Sequence, residues 1–201
     1  MRLNLFKILS RRCQENLVLQ HSEKPKLLLS SRSNDVRMIG ICGMGGIGKT
    51  TTARVVYDMI SSYFEGSSFL SNVREISEKD ILIALQKQLL SETLSEIDIR
   101  VYNDFDGIKM IKSKLGLKKV LVVIDDVVHV SQLNKLAGKH SCFGSGSKIM
   151  ITRRDEHLLR MHRVDQVYNV EALNDDEALE LDVCTQRNVG GCCIFSLALF
   201  S

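Results

Sequence analysis

One eight-residue stretch combines glycines with a lysine and a threonine in an order that suits phosphate binding. The stretch 43–50 (GMGGIGKT) has a glycine, four residues, a second glycine, then lysine and threonine. Its glycines permit backbone conformations closed to residues with a Cβ, so that bared N–H groups can surround an anion. Lys49 adds a mobile positive charge, and the Thr50 hydroxyl is suited to ligate Mg²⁺. The open alternative is a glycine-rich turn that binds nothing, although such a turn would not need the Lys-Thr pair.

A pair of acids follows the most apolar run in the chain. Residues 120–124 (VLVVI) have the composition of a strand buried on both faces of a parallel sheet, and Asp125 and Asp126 come next. Adjacent charges at the end of a buried strand are costly unless something uses them. We predict that Asp125 holds Mg²⁺, usually through water, and that Asp126 orients or deprotonates an attacking water. The alternative is an acidic turn without a ligand.

Two arginines end another apolar run. Residues 148–152 (KIMIT) are predicted to form a strand, and Arg153 and Arg154 follow it. An arginine at this edge of a sheet can reach a terminal phosphate and report its presence. The alternative from the sequence alone is a surface arginine.

The elements that must position these residues alternate along the chain. Predicted strands lie at about 36–42, 68–73, 120–124, 148–152 and 166–170. Predicted helices lie at about 49–62, from 77 to about 90, and at about 104–117, 130–137, 155–161 and 174–181. Alternating strands and helices indicate an α/β fold with a parallel five-stranded sheet and helices on both faces. Since ligands in such sheets bind at the carboxyl ends of strands, the loop and the acids are expected to form one site.

Bulk composition narrows the class of protein. The chain has 201 residues, of which 44% are hydrophobic and 25% charged, as in a soluble α/β domain. A net charge of +3 is too small to argue for nucleic acid binding, and no apolar run approaches the length of a membrane span. The six cysteines lack metal-binding spacing, which favours reduced thiols in a cytoplasmic protein, with the nucleus as an alternative location.

Three segments are expected. Residues 1–34 form a poorly defined N-terminal segment, 35–181 the nucleotide-binding subdomain, and 182–201 a divergent tail. Four basic residues precede the first acid, Glu15, which resembles an organelle transit peptide. An ordinary solvated or non-native start is the favoured interpretation.

Five segments carry motifs that occur together in one family: Val36–Thr51, Phe64–Glu75, Lys119–Val127, Gly144–Leu159 and Tyr168–Leu181. In this order they resemble the nucleotide-binding (NB-ARC) domain of plant TIR-NBS-LRR disease-resistance proteins. The resemblance covers about residues 15–181.

This resemblance implies a P-loop NTPase of the STAND type, a switch that is inactive with ADP and active after exchange to ATP. The implied sheet places the strand ending at Thr152 beside the phosphate-loop strand, so that Arg154 lies near the γ-phosphate. Mg²⁺ is expected at Thr50 and Asp125, with Asp126 as the catalytic residue. The expected nucleotide contacts are Gly43, Met44, Gly45, Gly46, Ile47, Gly48, Lys49, Thr50, Thr51 and Arg154.

The sequence also departs from the family pattern. Arg153 replaces the second Thr of a Thr-Thr-Arg motif, and the pattern breaks after Leu181. The first hypothesis is an ADP/ATP-binding switch module of a plant immunity protein, at most a slow ATPase. The alternative is a truncated interaction or decoy fragment with little turnover. A small-molecule P-loop kinase is a third class. Expected partners are adenine nucleotide and full-length immune receptors or a second copy, without nucleic acid or membrane.

Overall fold

The computed structural model describes residues 34–75 and 79–170, all within one compact unit of residues 24–171. This part of the chain alternates five strands with five helices, joined by three short 3-10 turns at Ser61–Tyr63, Val73–Glu75 and His140–Cys142. The strands are β1 (Arg37–Cys42), β2 (Gly66–Leu70), β3 (Val120–Ile124), β4 (Lys148–Arg153) and β5 (Gln166–Asn169). The helices are α1 (Lys49–Ile60), α2 (Lys79–Leu94), α3 (Asp104–Leu115), α4 (Val130–Leu136) and α5 (Glu156–Met161).

The five strands form one parallel sheet in the order β2-β3-β4-β1-β5. β1 lies at the position next to β4, with Arg37 opposite Lys148 and Cys42 opposite Arg153. The predicted parallel five-stranded sheet is confirmed, and so is the predicted neighbourhood of the loop strand and the arginine-bearing strand. The segments that follow β1, β3 and β4 therefore meet at one edge of the sheet.

Helices cover both faces of the sheet, as predicted. In β3, Leu121 and Val123 pack on one face together with Ala53, Val56 and Ile60 of α1. The alternating residues of β3 pack on the opposite face with leucines and isoleucines from α2, α3, α4 and α5. All five residues of β3 are buried, which accounts for its continuous apolar sequence.

The boundaries predicted for β2 were wrong. The strand runs from Gly66 to Leu70, two residues earlier at its start and three earlier at its end than 68–73. It ends there because Asn72 has a φ of +52° and the Val73 amide donates to the Asp125 carbonyl at 2.9 Å, which turns the chain away. Its first residue, Gly66, pairs with Val120 of β3 and lies so close to α2 that a Cβ would be 2.1 Å from the Thr93 carbonyl oxygen.

The other predicted elements agree within about four residues where the structure describes them, the largest difference being the end of α2 at Leu94 rather than about 90. Helix α3 begins where the Asn103 side chain accepts a hydrogen bond from the Asp106 amide at 2.9 Å, a standard N-cap. The predicted last helix, 174–181, lies outside the described residues, as do the predicted tail 182–201 and the Ser77 start of α2. Of the predicted N-terminal segment 1–34, residues 1–33 lie outside them. Cys42 and Cys142 are both free, buried thiols.

Candidate functional site

The glycine loop connects β1 to α1 and has the backbone conformation that its sequence suggested. Gly46 and Gly48 have φ of +78° and +95°, in the left-handed region that favours glycine. A Cβ built at either position meets no heavy atom within 4 Å, so the backbone at these positions borders open space. Gly48 precedes α1 and offers no side-chain cap, which leaves the first amides of the helix free of a side-chain acceptor. This cradle fits an anion such as phosphate.

Lys49 is the cation of the cradle. Lys49 is only 8% exposed, and its Nζ donates to the Met44 carbonyl oxygen at 2.6 Å. The lysine side chain therefore folds back over the loop. Burial, followed by the nearby charge of Arg154, lowers the pKa of the Lys49 ammonium below its ordinary value. A buried cation of this kind favours a bound anion, whose charge would offset both effects.

Thr50 and Asp125 meet although they are 75 residues apart in the chain. Thr50 Oγ1 lies 2.9 Å and 3.1 Å from the two carboxylate oxygens of Asp125. Asp125 is 1% exposed, and its amide donates to the Leu70 carbonyl at 2.8 Å. A hydroxyl and a carboxylate are the hard oxygen ligands that Mg²⁺ takes, usually with phosphate oxygens and waters. The predicted metal residues are thus adjacent, and they fit the ion.

No larger metal site competes with this pair in residues 34–75 and 79–170, where no group of three or more His, Cys, Asp or Glu side chains could hold a metal. A protein that relies on one carboxylate and one hydroxyl leaves most of the coordination sphere to the nucleotide and water.

Asp126 lies next to the pair but points to a different partner. Its φ is +56°, a left-handed conformation that aspartate tolerates better than most residues. Its side chain is 28% exposed, and Oδ2 lies 3.4 Å from Arg74 Nε. The carboxylate assigned to catalysis is therefore engaged in an ion pair with a side chain that the sequence did not single out.

Thr152 is the other residue that sequence reasoning missed. Its hydroxyl donates to Asp125 Oδ1 at 2.6 Å and accepts from the Asp126 amide at 2.8 Å. The residue is 1% exposed at the end of β4. In the sequence it is one more β-branched residue of a predicted strand. The available signal was its place directly before the two arginines.

The two arginines at the end of β4 have separate surroundings. Arg153 Nη1 donates to the Val128 carbonyl at 2.6 Å, and Nη2 lies 4.0 Å from Asp155. Arg154 lies against the glycine loop, where a Cβ at Gly45 would be 3.4 Å from its Cζ. Of the two, Arg154 is the one that lies beside the glycine loop.

The remaining predicted contacts all belong to the loop and the start of α1. Met44 is 77% exposed at the tip of the loop, and Thr51 is exposed on the first turn of the helix. Ile47 packs toward Gly43, where an added Cβ would meet its Cγ2 at 3.0 Å. Cys42, just before the loop, donates its thiol to the Arg154 carbonyl at 3.4 Å, and burial raises its pKa. The structure thus gathers every predicted site residue at one edge of the sheet.

Comparison with solved structures identifies the fold. A crystal structure of Cdc6p from Pyrobaculum aerophilum superimposes with a TM-score of 0.56, covering 93% of this chain and 49% of that one. The sequence identity is 13%, so the likeness concerns the fold alone. With the glycine loop and the parallel sheet, this supports the expected P-loop NTPase fold. None of the helices that the structure describes is long and apolar enough to span a membrane.

Comparison with sequences identifies the family. The NB-ARC domain matches residues 20–188. Disease resistance protein RPV1 of Vitis rotundifolia is 44% identical over 162 residues, and TMV resistance protein N of Nicotiana glutinosa is 44% identical over 168 residues. These alignments cover 80% of this chain but 12% and 14% of the relatives, so the chain spans a small part of their length. The chain therefore belongs to the NB-ARC domain family, as its resemblance to plant disease-resistance proteins implied.

Proposed function

We propose that this chain is a nucleotide-binding switch module that binds ADP or ATP together with Mg²⁺. The observation that carries the proposal is the contact between Thr50 and Asp125 at the open end of the glycine loop. A structural glycine turn has no reason to bring a hydroxyl from its helix to a buried carboxylate on another strand. A nucleotide site has that reason, because these two side chains would hold a Mg²⁺ ion that would neutralise phosphate charge.

Each residue around the loop has a role in this proposal. The amides of residues 43–51 and the positive end of α1 surround the phosphates, and Lys49 neutralises their charge. Thr50 and Asp125 would hold Mg²⁺, which neutralises phosphate charge when it is bound. Arg154 lies where it can contact a terminal phosphate and so distinguish ATP from ADP. These assignments favour a switch whose state depends on which nucleotide is bound.

Turnover is proposed to be slow. A general base must accept a proton from water, and Asp126 is the carboxylate that we assign to that step. Its Oδ2 lies 3.4 Å from Arg74 Nε, so this ion pair occupies one of the two oxygens that could accept the proton. This arrangement supports binding as the main activity, with ATP hydrolysis as a slow step at most.

The wider role is proposed from the relatives. Proteins named for disease resistance share 44% identity with this chain, which supports a role in plant innate immunity. We propose that the domain works in the cytoplasm or nucleus and that its nucleotide state governs contacts with immune receptors or with a second copy.

A nucleotide titration of the purified chain tests the proposal. ADP and ATP are titrated with Mg²⁺ and with EDTA, for the wild type and for Lys49→Ala. We expect Lys49→Ala to raise Kd more than about tenfold, because a charge-assisted contact with phosphate is lost. Lys114→Ala, at an exposed lysine in the last turn of α3, is the matched control and should bind as the wild type does. Equal affinity of the wild type and Lys49→Ala would exclude phosphate binding at the loop.

A further inference from the structure

We propose that Thr152 is a positioning residue that couples the arginine-bearing end of β4 to the metal-binding carboxylate of Asp125. The inference rests on the proposed function, because it concerns how the proposed Mg²⁺ site responds to what Arg154 contacts. Thr152 itself would touch neither nucleotide nor metal; it would act through the residues that do.

The geometry gives Thr152 three bonds to the turn that follows β3. Its hydroxyl donates to Asp125 Oδ1 at 2.6 Å and accepts from the Asp126 amide at 2.8 Å. Its backbone carbonyl accepts from the Val127 amide at 3.1 Å. Three consecutive residues of the metal-bearing turn are thus bonded to one residue of the neighbouring strand.

The hydroxyl is essential to this arrangement because it both donates and accepts. A hydroxyl has one proton and two lone pairs, and Thr152 uses the proton for a carboxylate and a lone pair for an amide. Valine has a similar shape without either capacity. It would leave the Asp126 amide without this acceptor, and the Asp125 carboxylate with Thr50 as its remaining hydroxyl contact. The Asp125 carboxylate could then rotate out of the orientation in which it contacts the Thr50 hydroxyl.

The coupling follows from where Thr152 lies in β4. It pairs with Ile41 in β1, the strand that leads into the glycine loop, and it stands two residues before Arg154. Arg154 lies against Gly45 of the loop. A contact between Arg154 and a terminal phosphate would favour a shift of the end of β4. The Thr152 hydroxyl therefore transmits this shift to Asp125. The residue links detection of the phosphate to orientation of the metal ligand.

The test measures how much Mg²⁺ strengthens nucleotide binding, as the ratio of Kd in EDTA to Kd in Mg²⁺. We expect Thr152→Val to reduce this ratio by about tenfold or more, the usual cost of removing a group that orients a metal ligand. Thr152→Ser restores the hydroxyl and should stay within about threefold of the wild type. If Thr152→Val does not fold, Thr152→Cys, which has a weaker donor, replaces it under the same criterion.

A second readout needs no bound nucleotide or metal. Hydrogen exchange of the Asp126 amide in the free protein should be faster in Thr152→Val than in the wild type, and restored in Thr152→Ser. Thr93→Val is the matched control, because Thr93 is also 1% exposed and donates its hydroxyl to the Leu89 carbonyl, within α2. It should lose stability without changing either the Mg²⁺ ratio or the exchange of Asp126.

The possible outcomes separate the inference from the proposed function. A wild type whose affinity for nucleotide does not depend on Mg²⁺ overturns both the metal site and the inference. A wild type that shows the dependence, with Thr152→Val retaining it in full, overturns the inference alone. An equal reduction of the ratio in Thr152→Ser and Thr152→Val also overturns it, because the hydroxyl would then not be the active group.

Discussion

Arg153 and Arg154 are neighbours in the chain, yet their guanidinium groups contact different parts of the protein. Arg153 is held by the Val128 carbonyl, and burial lowers its pKa. Arg154 lies against Gly45 and close enough to Lys49 to lower the pKa of that ammonium. Substitution of Arg154 therefore tests for phosphate contact, and the same substitution of its neighbour Arg153 is the matched control.

We expect Arg154→Ala to weaken ATP binding by more than about tenfold and ADP binding by less than about threefold, because a charge-assisted contact with a terminal phosphate is lost. Titrations with both nucleotides in Mg²⁺ measure the two constants. Arg153→Ala should leave the preference for ATP over ADP unchanged and lower thermal stability instead. Equal losses for ADP and ATP in Arg154→Ala would contradict a role in distinguishing them.

The Arg74–Asp126 ion pair predicts a gain of activity. Arg74→Gln keeps a polar side chain and removes the ion pair that occupies one oxygen of the Asp126 carboxylate. We expect ATP turnover to rise by about two- to fivefold, the range that corresponds to a half-exposed ion pair, with little change in Kd. Phosphate release at saturating ATP measures the rate. A rate equal to or below that of the wild type would mean that Arg74 does not restrain Asp126.

For single residues, the sequence predicts a role when the motif lies within a short stretch of chain. It misses a role that depends on a residue far away in the sequence. Lys49 and Thr50 could be found because the loop pattern is contained in eight residues. Thr152 could not, because its hydroxyl acquires a role only when β4 lies beside the end of β3. Arg74 was missed for the same reason, since its partner Asp126 is 52 residues away in the sequence.

At the scale of elements, alternation along the chain predicts the layers of the fold but not where each strand ends. The run 120–124 was predicted to the residue because burial on both faces leaves an uninterrupted apolar signature. β2 was misplaced because glycine is typical of turns, whereas Gly66 pairs with Val120 of β3 and lies where α2 leaves no room for a Cβ beside the Thr93 carbonyl. The ends of β2 could not be predicted because they depend on packing between elements, and a local sequence pattern carries no information about that packing.

That contact predicts a large effect from a small substitution. Gly66→Ala places a methyl group 2.1 Å from a backbone oxygen, so strand and helix must separate. We expect a loss of about 2–3 kcal/mol in the free energy of unfolding, the upper range for an overpacked site. Ser67→Ala, next to it in β2, loses a hydrogen bond from the Tyr57 hydroxyl and should cost about 1 kcal/mol. Urea unfolding measures both, and a smaller loss for Gly66→Ala than for Ser67→Ala would exclude the tight contact.

At the scale of the whole described unit, the carboxyl and amino ends of the strands carry different groups of polar residues. The carboxyl ends of the strands carry the proposed nucleotide site. At the amino ends, Asp165 Oδ2 accepts from the Met38 amide at 2.7 Å and lies 2.9 Å from His140 Nε2. Asp165 therefore joins the start of β1 to the 3-10 turn before β4, remote from the phosphate loop. Its ionisation should affect stability without affecting nucleotide recognition directly.

The pKa of Asp165 is lowered: burial acts to raise it, but the Met38 amide, His140 and Arg37 together outweigh burial. A carboxyl group with a lowered pKa in the folded state stabilises the protein above its unfolded pKa of about 3.9, and that stabilisation is lost as pH falls below this value. Asp165→Asn should therefore lower Tm by about 3–5 °C at pH 7, with a gap that narrows as pH falls below about 3.9.

Thermal unfolding of the wild type and Asp165→Asn between pH 3 and pH 8 measures this gap. Burial lowers the pKa of His162, so stability in both proteins also falls as pH drops through about 6.5, where the unfolded histidine gains its proton. His162 is present in both proteins, so the change of the gap below about pH 3.9 reports the titration of Asp165. Asp98→Asn, at a carboxylate that is 82% exposed, should show little difference from the wild type at any pH. A gap for Asp165→Asn that stays constant down to pH 3 would mean that the charge of Asp165 does not stabilise the fold.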